Sequence, residues 1–88
     1  MEMRVSIRPQ DSGYMNHRHL RANGRRAVVY FNGEHETGAI TADDEAGMIV
    51  RYIKDTDGEI LVDLDRECPM DEVVHGKVEI EVVEEMVL

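Results

Sequence analysis

The sequence predicts a mainly β protein, a small antiparallel meander rolled into a barrel or sandwich, with at most one short helical turn. Three observations carry this expectation. Residues 27–31 read Ala-Val-Val-Tyr-Phe, a run of β-branched and aromatic side chains that suits a pleated, half-buried strand. Residues 77–83 alternate Val78, Ile80 and Val82 with Lys77, Glu79 and Glu81, the period of a strand with one buried and one wet face. Asn32-Gly33 and Asp55-Thr56-Asp57-Gly58 are tight-turn signals, because Asn, Asp and Gly tolerate the left-handed backbone that hairpins need. With 88 residues, the chain is long enough for one domain and too short for two.

In chain order, Arg4 to Arg8 has apolar residues at alternate positions and stops at Pro9, a short strand ended by proline. Residues 10–26 show no sustained period and contain Gly13 and Gly24, so they read as a long loop or mobile arm. After the Asn32-Gly33 turn, Thr37 to Ala42 is the expected return strand, weakened by Gly38. Asp43 to Gly47 is an acidic turn, and Thr41 with Asp44 has the spacing to cap a single helical turn. Met48 to Lys54 is a strand with Met48, Val50 and Tyr52 on one face and Ile49, Arg51 and Ile53 on the other. Glu59 to Leu64 returns from the Asp55–Gly58 turn. Pro69 to Gly76 has a proline start, early acids and a closing glycine, which favours a turn or two of helix; Val73-Val74 leaves a strand open.

Apolar residues make up 42% of the chain and aromatics only 5%, with no Trp, so the core is expected to be aliphatic and without a deep ligand pocket. A core this thin points to a partner subunit. The single cysteine, Cys68, excludes an internal disulfide and is expected to be a small buried hydrophobe. No stretch approaches the ~20 apolar residues of a membrane span or has a leader pattern, which suggests a cytoplasmic or virion-associated protein. The net charge of −9 is divided unevenly: residues 1–26 carry +4 and residues 27–88 carry −13. That division suggests a basic N-terminal strand and mobile arm (1–26) followed by an acidic β domain (27–88).

Candidate chemistry is sparse. Aligned on a calcium-binding loop, Asp55, Asp57 and Gly58 fit, but Ile53 and Leu64 fall where carboxylates are required, so a plain hairpin turn is the better reading. His17, His19, His35, His75 and Cys68 lack the paired spacing of a zinc site, and no metal or cofactor is expected. Ser6, Ser12 and Cys68 lie in no nucleophile motif and no phosphate-cradling glycine loop occurs, so an enzyme is not expected. The feature above background is the basic run with Arg18, Arg21, Arg25 and Arg26, which reads as an interaction arm for an anionic surface. Direct nucleic-acid binding is disfavoured, since the acidic remainder repels phosphate and no stacking aromatics accompany the arginines. The acidic body of a second copy, or of another protein, is the more natural partner. Ile49 and Ile53, on the second apolar face of their strand, are the candidate interface residues.

Val29-Tyr30-Phe31-Asn32-Gly33, Thr37-Gly38, Ala42 to Gly47, Tyr52, Asp55-x-Asp57-Gly58 and His75 to Ile80 together resemble a group of small proteins encoded in tailed bacteriophages and prophages, largely of unknown function. The likeness spans about residues 28–82. That pattern often has Trp where this chain has Met48, and it lacks the basic segment at 10–26. The resemblance implies a setting and no chemistry. The expected function is a non-enzymatic protein-interaction module, phage- or prophage-derived, acting by self-association or by docking on a larger assembly. The alternative is an acidic regulator that imitates nucleic acid to block a DNA-binding protein.

Overall fold

A computed structural model describes residues 3–85. In order along the chain it contains β1 (Arg4–Ser6), α1 (Tyr14–Ala22), β2 (Arg25–Phe31), β3 (Glu34–Glu36), β4 (Ala39–Asp43), β5 (Met48–Tyr52), β6 (Val62–Asp63), β7 (Cys68–Pro69), β8 (Asp71–His75) and β9 (Val78–Glu84). The strands form a four-stranded sheet in the order β1-β4-β5-β8, a three-stranded sheet in the order β3-β2-β9, and a separate β6-β7 pair. Every pairing is antiparallel. The fold is thus mainly β with one short helix. It is an open, sandwich-like arrangement and no barrel closes.

Cross-strand rows explain the core. Val5 lies opposite Ala42, Ala42 opposite Ile49, and Ile49 opposite Val74, one apolar row across all four strands of the larger sheet. Val29 of β2 and Val78 of β9 join Val5, Ala42 and Ile49 in a single buried cluster, so the two sheets share one core. The alternation read in residues 77–83 holds as far as Glu81: Val78 and Ile80 pack on that core while Glu79 and Glu81 are exposed, but Val82, expected on the buried face, is exposed and Val83 is half-buried instead. On the other face of the larger sheet, Ser6 and Thr41 are buried, and their hydroxyls satisfy each other at 2.7 Å.

The chain passes from one sheet to the other at Gly76, between β8 and β9. Gly76 N–H donates to the Gly47 carbonyl (2.9 Å), while Asn32 Oδ1 accepts from Lys77 N–H (2.9 Å) and Asn32 N–H donates to the Lys77 carbonyl (2.8 Å). A Cβ at Gly76 would sit 2.5 Å from Asn32 Oδ1 and 2.9 Å from the Phe31 ring, so only glycine fits this crossing.

Several expectations are corrected. Residues 10–26 are no loop or arm: they hold α1 and the first two residues of β2, so a boundary after residue 26 cuts through a strand. The Asn32-Gly33 turn is present, but it leads into the short β3; β4 starts at Ala39 and pairs with β1 and β5 instead. Thr41 caps no helical turn, being a buried residue of β4. Residues 71–75 are a strand, not a helical turn, because edge pairing with β5 places Val74 over the core. The return after Gly58 is reduced to a bridge between Lys54 and Ile60 and the two residues of β6. Cys68 is exposed.

Candidate interaction surfaces

The four arginines singled out in the sequence are carried by α1 and the start of β2. Asp11 sets the helix start: its Oδ1 accepts from Gly13 N–H at 2.7 Å, and its carbonyl accepts from Tyr14 N–H. Gly13 is buried, where a Cβ would lie 2.9 Å from the Val5 carbonyl carbon. At the far end Asn23 Nδ2 donates to the His19 carbonyl (2.7 Å), and Gly24 takes a left-handed conformation (φ 68°) that turns the chain into β2. Leu20 packs the helix against the core. His19 and Arg21 fall in the last turn, where positive charge complements the helix dipole.

Residues 14–26 contain four arginines, two histidines and no carboxylate. Arg21 Nη1 reaches Glu85 Oε2 at 2.5 Å, and Glu85 N–H donates to the Gly24 carbonyl, which ties the helix end to the segment after β9. Arg18, Arg25 and Arg26 are exposed. Arg21 and Arg26, with His17, also line a cleft of about 140 Å³ whose apolar lining includes Val5, Ala27 and Ile40.

The second surface lies beyond β5. Ile53, Leu61 and Met70 close a ring of backbone hydrogen bonds: Ile53 N–H to the Met70 carbonyl (3.0 Å), Met70 N–H to the Leu61 carbonyl (2.9 Å), Leu61 N–H to the Ile53 carbonyl (2.8 Å). From this junction residues 54–70 leave the body. Ile60, Leu61, Val62, Leu64 and Met70 are all exposed, and none joins the core. Leu64 is 86% exposed at the tip, in a turn fixed by Asp63 Oδ1, which accepts from Asp65 N–H (3.0 Å). The Asp55 turn is likewise ordered by its own side chain, Oδ1 accepting from Asp57 and Glu59 N–H (2.9 and 3.0 Å) with Gly58 left-handed (φ 84°). Six acids and two bases give this segment a net charge of −4.

The two isoleucines separate. Ile49 is 0% exposed at the centre of the core and cannot meet a neighbour, because β2 and β9 already cover that face of β5. Ile53 is half-buried at the junction of the projecting segment. Ile60, Leu61, Val62 and Leu64, in the stretch read as the return from the Asp55–Gly58 turn, form the apolar surface instead.

Other polar clusters link neighbouring strands and turns. Arg4 grips Asp11 through two nitrogens (2.9 and 2.7 Å) and Asp43 through a third (3.1 Å). That pairing holds the Asp11 carboxyl below its ordinary range; Asp43 is lowered first by the Ala46 N–H and then by Arg4. Arg8, two residues past the end of β1, pairs with Asp71 at the start of β8, linking the two edges of the larger sheet. Arg51 bonds Glu72 (3.0 Å) and Glu36 (3.1 Å) and lies 5.9 Å from the Phe31 ring centre. Among the described residues, no group of three or more His, Cys, Asp or Glu is placed to hold a metal ion, and no helix is long and apolar enough to cross a membrane. Comparison with protein-family models, with curated proteins and with solved structures finds no match.

Proposed function

We propose that the protein is a non-enzymatic interaction module that acts by self-association or by docking on a larger assembly, in the phage or prophage setting that the resemblance suggests. The observation that carries this reading is the segment 54–70. It exposes five large apolar side chains and adds none of them to the core. A small sheet protein gains nothing in its own stability from ordering such a surface, whereas a partner that covers it removes the apolar area from water. The segment also leaves the body through an ordered junction and ends in side-chain-locked turns, so it is presented in one shape before any partner arrives.

Sedimentation equilibrium over a wide range of protein concentration, in ~0.1 M salt where charges ~10 Å apart still interact, tests self-association. The expected result is a mass that rises above the 10.1 kDa of one chain. A strict monomer at every concentration contradicts self-association.

A further inference from the structure

The two surfaces fit each other in both charge and chemistry. The projecting segment has a net charge of −4, with Leu64 at its tip between Asp63 and Asp65. Residues 14–26 carry +4 from their arginines, and they place His17, Arg21 and Arg26 around an apolar cleft. At about 140 Å³, that cleft is close to the ~150 Å³ of an apolar cavity that takes a benzene-sized group, enough for one aliphatic side chain. The cleft is lined by β1, β2, β4 and α1 and by no residue of 54–70, and Leu64 stays 86% exposed, so the tip does not fill the cleft of its own copy, although Arg8 pairs with Asp71 beside the root of the segment.

We infer that the tip of one copy enters the cleft of the next, with Leu64 against Val5, Ala27 and Ile40, and with Asp63 and Asp65 facing Arg26 and His17. This inference rests on the self-association reading and names its two surfaces. A contact between unlike surfaces of identical chains is head-to-tail: it repeats until it closes into a ring or extends as a filament. Charge selects a second copy over nucleic acid as occupant. Phosphate would satisfy the arginines but leave the apolar tip uncovered and face the repulsion of an acidic body.

Complementary variants test the geometry. Leu64→Asp spoils the tip and spares the cleft; Arg26→Glu with Ala27→Asp spoils the cleft and spares the tip. Leu64 and Arg26 are exposed, and Arg26→Glu alone serves as the second cleft variant should the double one lose its circular dichroism spectrum. Each variant alone is expected to weaken association by about 30-fold or more, as for a central anchor. Mixed in equal amounts, they are expected to form a dimer that grows no further, since only one good tip and one good cleft remain. Association of the wild type that neither variant weakens overturns the head-to-tail contact while leaving self-association standing. Variants that each fail alone and also fail when mixed indicate a like-with-like contact and overturn it too. A monomeric wild type overturns both.

Discussion

Arg4 and Asp11 meet through two parallel hydrogen bonds, Nε to Oδ1 at 2.9 Å and Nη2 to Oδ2 at 2.7 Å. The pair joins β1 to the turn that starts α1, and Asp11 Oδ1 at the same time receives the Gly13 N–H. One carboxylate thus fixes both the ion pair and the helix start. Asp11→Ala should destabilise the fold by about 2 kcal/mol, the scale of a charged hydrogen bond combined with a turn-forming one. Chemical denaturation measures it.

The same contact sets an acid limit. Asp11 and Asp43 both titrate below their ordinary value of 3.8 in the folded protein. A depressed native pKa adds stability that is full above the unfolded value and is lost as pH falls through the native one. Stability should therefore decline below about pH 4. Asp11→Asn should flatten that decline, and an acid-unfolding series comparing the two proteins reads it. Equal slopes would show that the pair contributes nothing to acid sensitivity.

Removing residues 10–26 should unfold the protein. The deletion takes away Leu20, which packs on the core, the buried Gly13, and two residues of β2. Circular dichroism should show loss of the β spectrum. A deletion variant with an intact melting transition would mean that β1 and β2 hold without the helix between them.

Much of the fold was legible in the sequence because strand period and turn chemistry are local. The Val78 and Ile80 alternation and the Asn32-Gly33 turn carry their own signals. The helix was not legible, because its nine residues offer one apolar contact to the core, Leu20, too few to make a period. Its signals are at its ends: Asp11-x-Gly13 before it and Asn23-Gly24 after it. Taken alone, those glycines look like loop. The four arginines were recognisable as a group from charge, but the cleft beside Arg21 and Arg26 arises from sheet packing, which no spacing along the chain encodes. Ile49 was misplaced because a strand with two apolar faces does not reveal which face the second sheet will cover.

Two glycines with different duties should respond differently to alanine. Gly76→Ala forces a methyl group onto Asn32 and Phe31, where the chain changes sheets, and should cost about 2 kcal/mol or more. Gly33→Ala meets open space and only the strain of a positive φ (84°), about 1 kcal/mol. Thermal melts of the two variants give the order directly; a milder Gly76 variant would contradict the crossing described here.

The Asp55–Gly58 turn should be indifferent to calcium. Asp55 Oδ1 is occupied by the Asp57 and Glu59 amides, which leaves it a turn former. Gly58→Val should destabilise by about 1 kcal/mol or more, because a β-branched residue resists positive φ. A calorimetric titration is expected to show no calcium binding at micromolar concentration, and saturable heat there would overturn the structural reading of the turn.

Arg18, Arg21, Arg25 and Arg26 changed together to Ser should weaken assembly and remove most of its salt dependence, since charge attraction between exposed surfaces is what salt screens. Sedimentation at low and high salt compares this variant with the wild type. An unchanged salt response would place the electrostatic contact elsewhere.

Cys68, the single cysteine, is exposed on β7 beside the tip and allows a direct test. A nitroxide attached there on one copy, mixed with an isotope-labelled copy carrying no nitroxide, broadens only amides that the tip approaches between molecules. The head-to-tail account predicts broadening of Arg26, Ala27 and Ile40 around the cleft, with the amides of residues 60–70 unaffected. Broadening confined to residues 60–70, or none at any concentration, would contradict it.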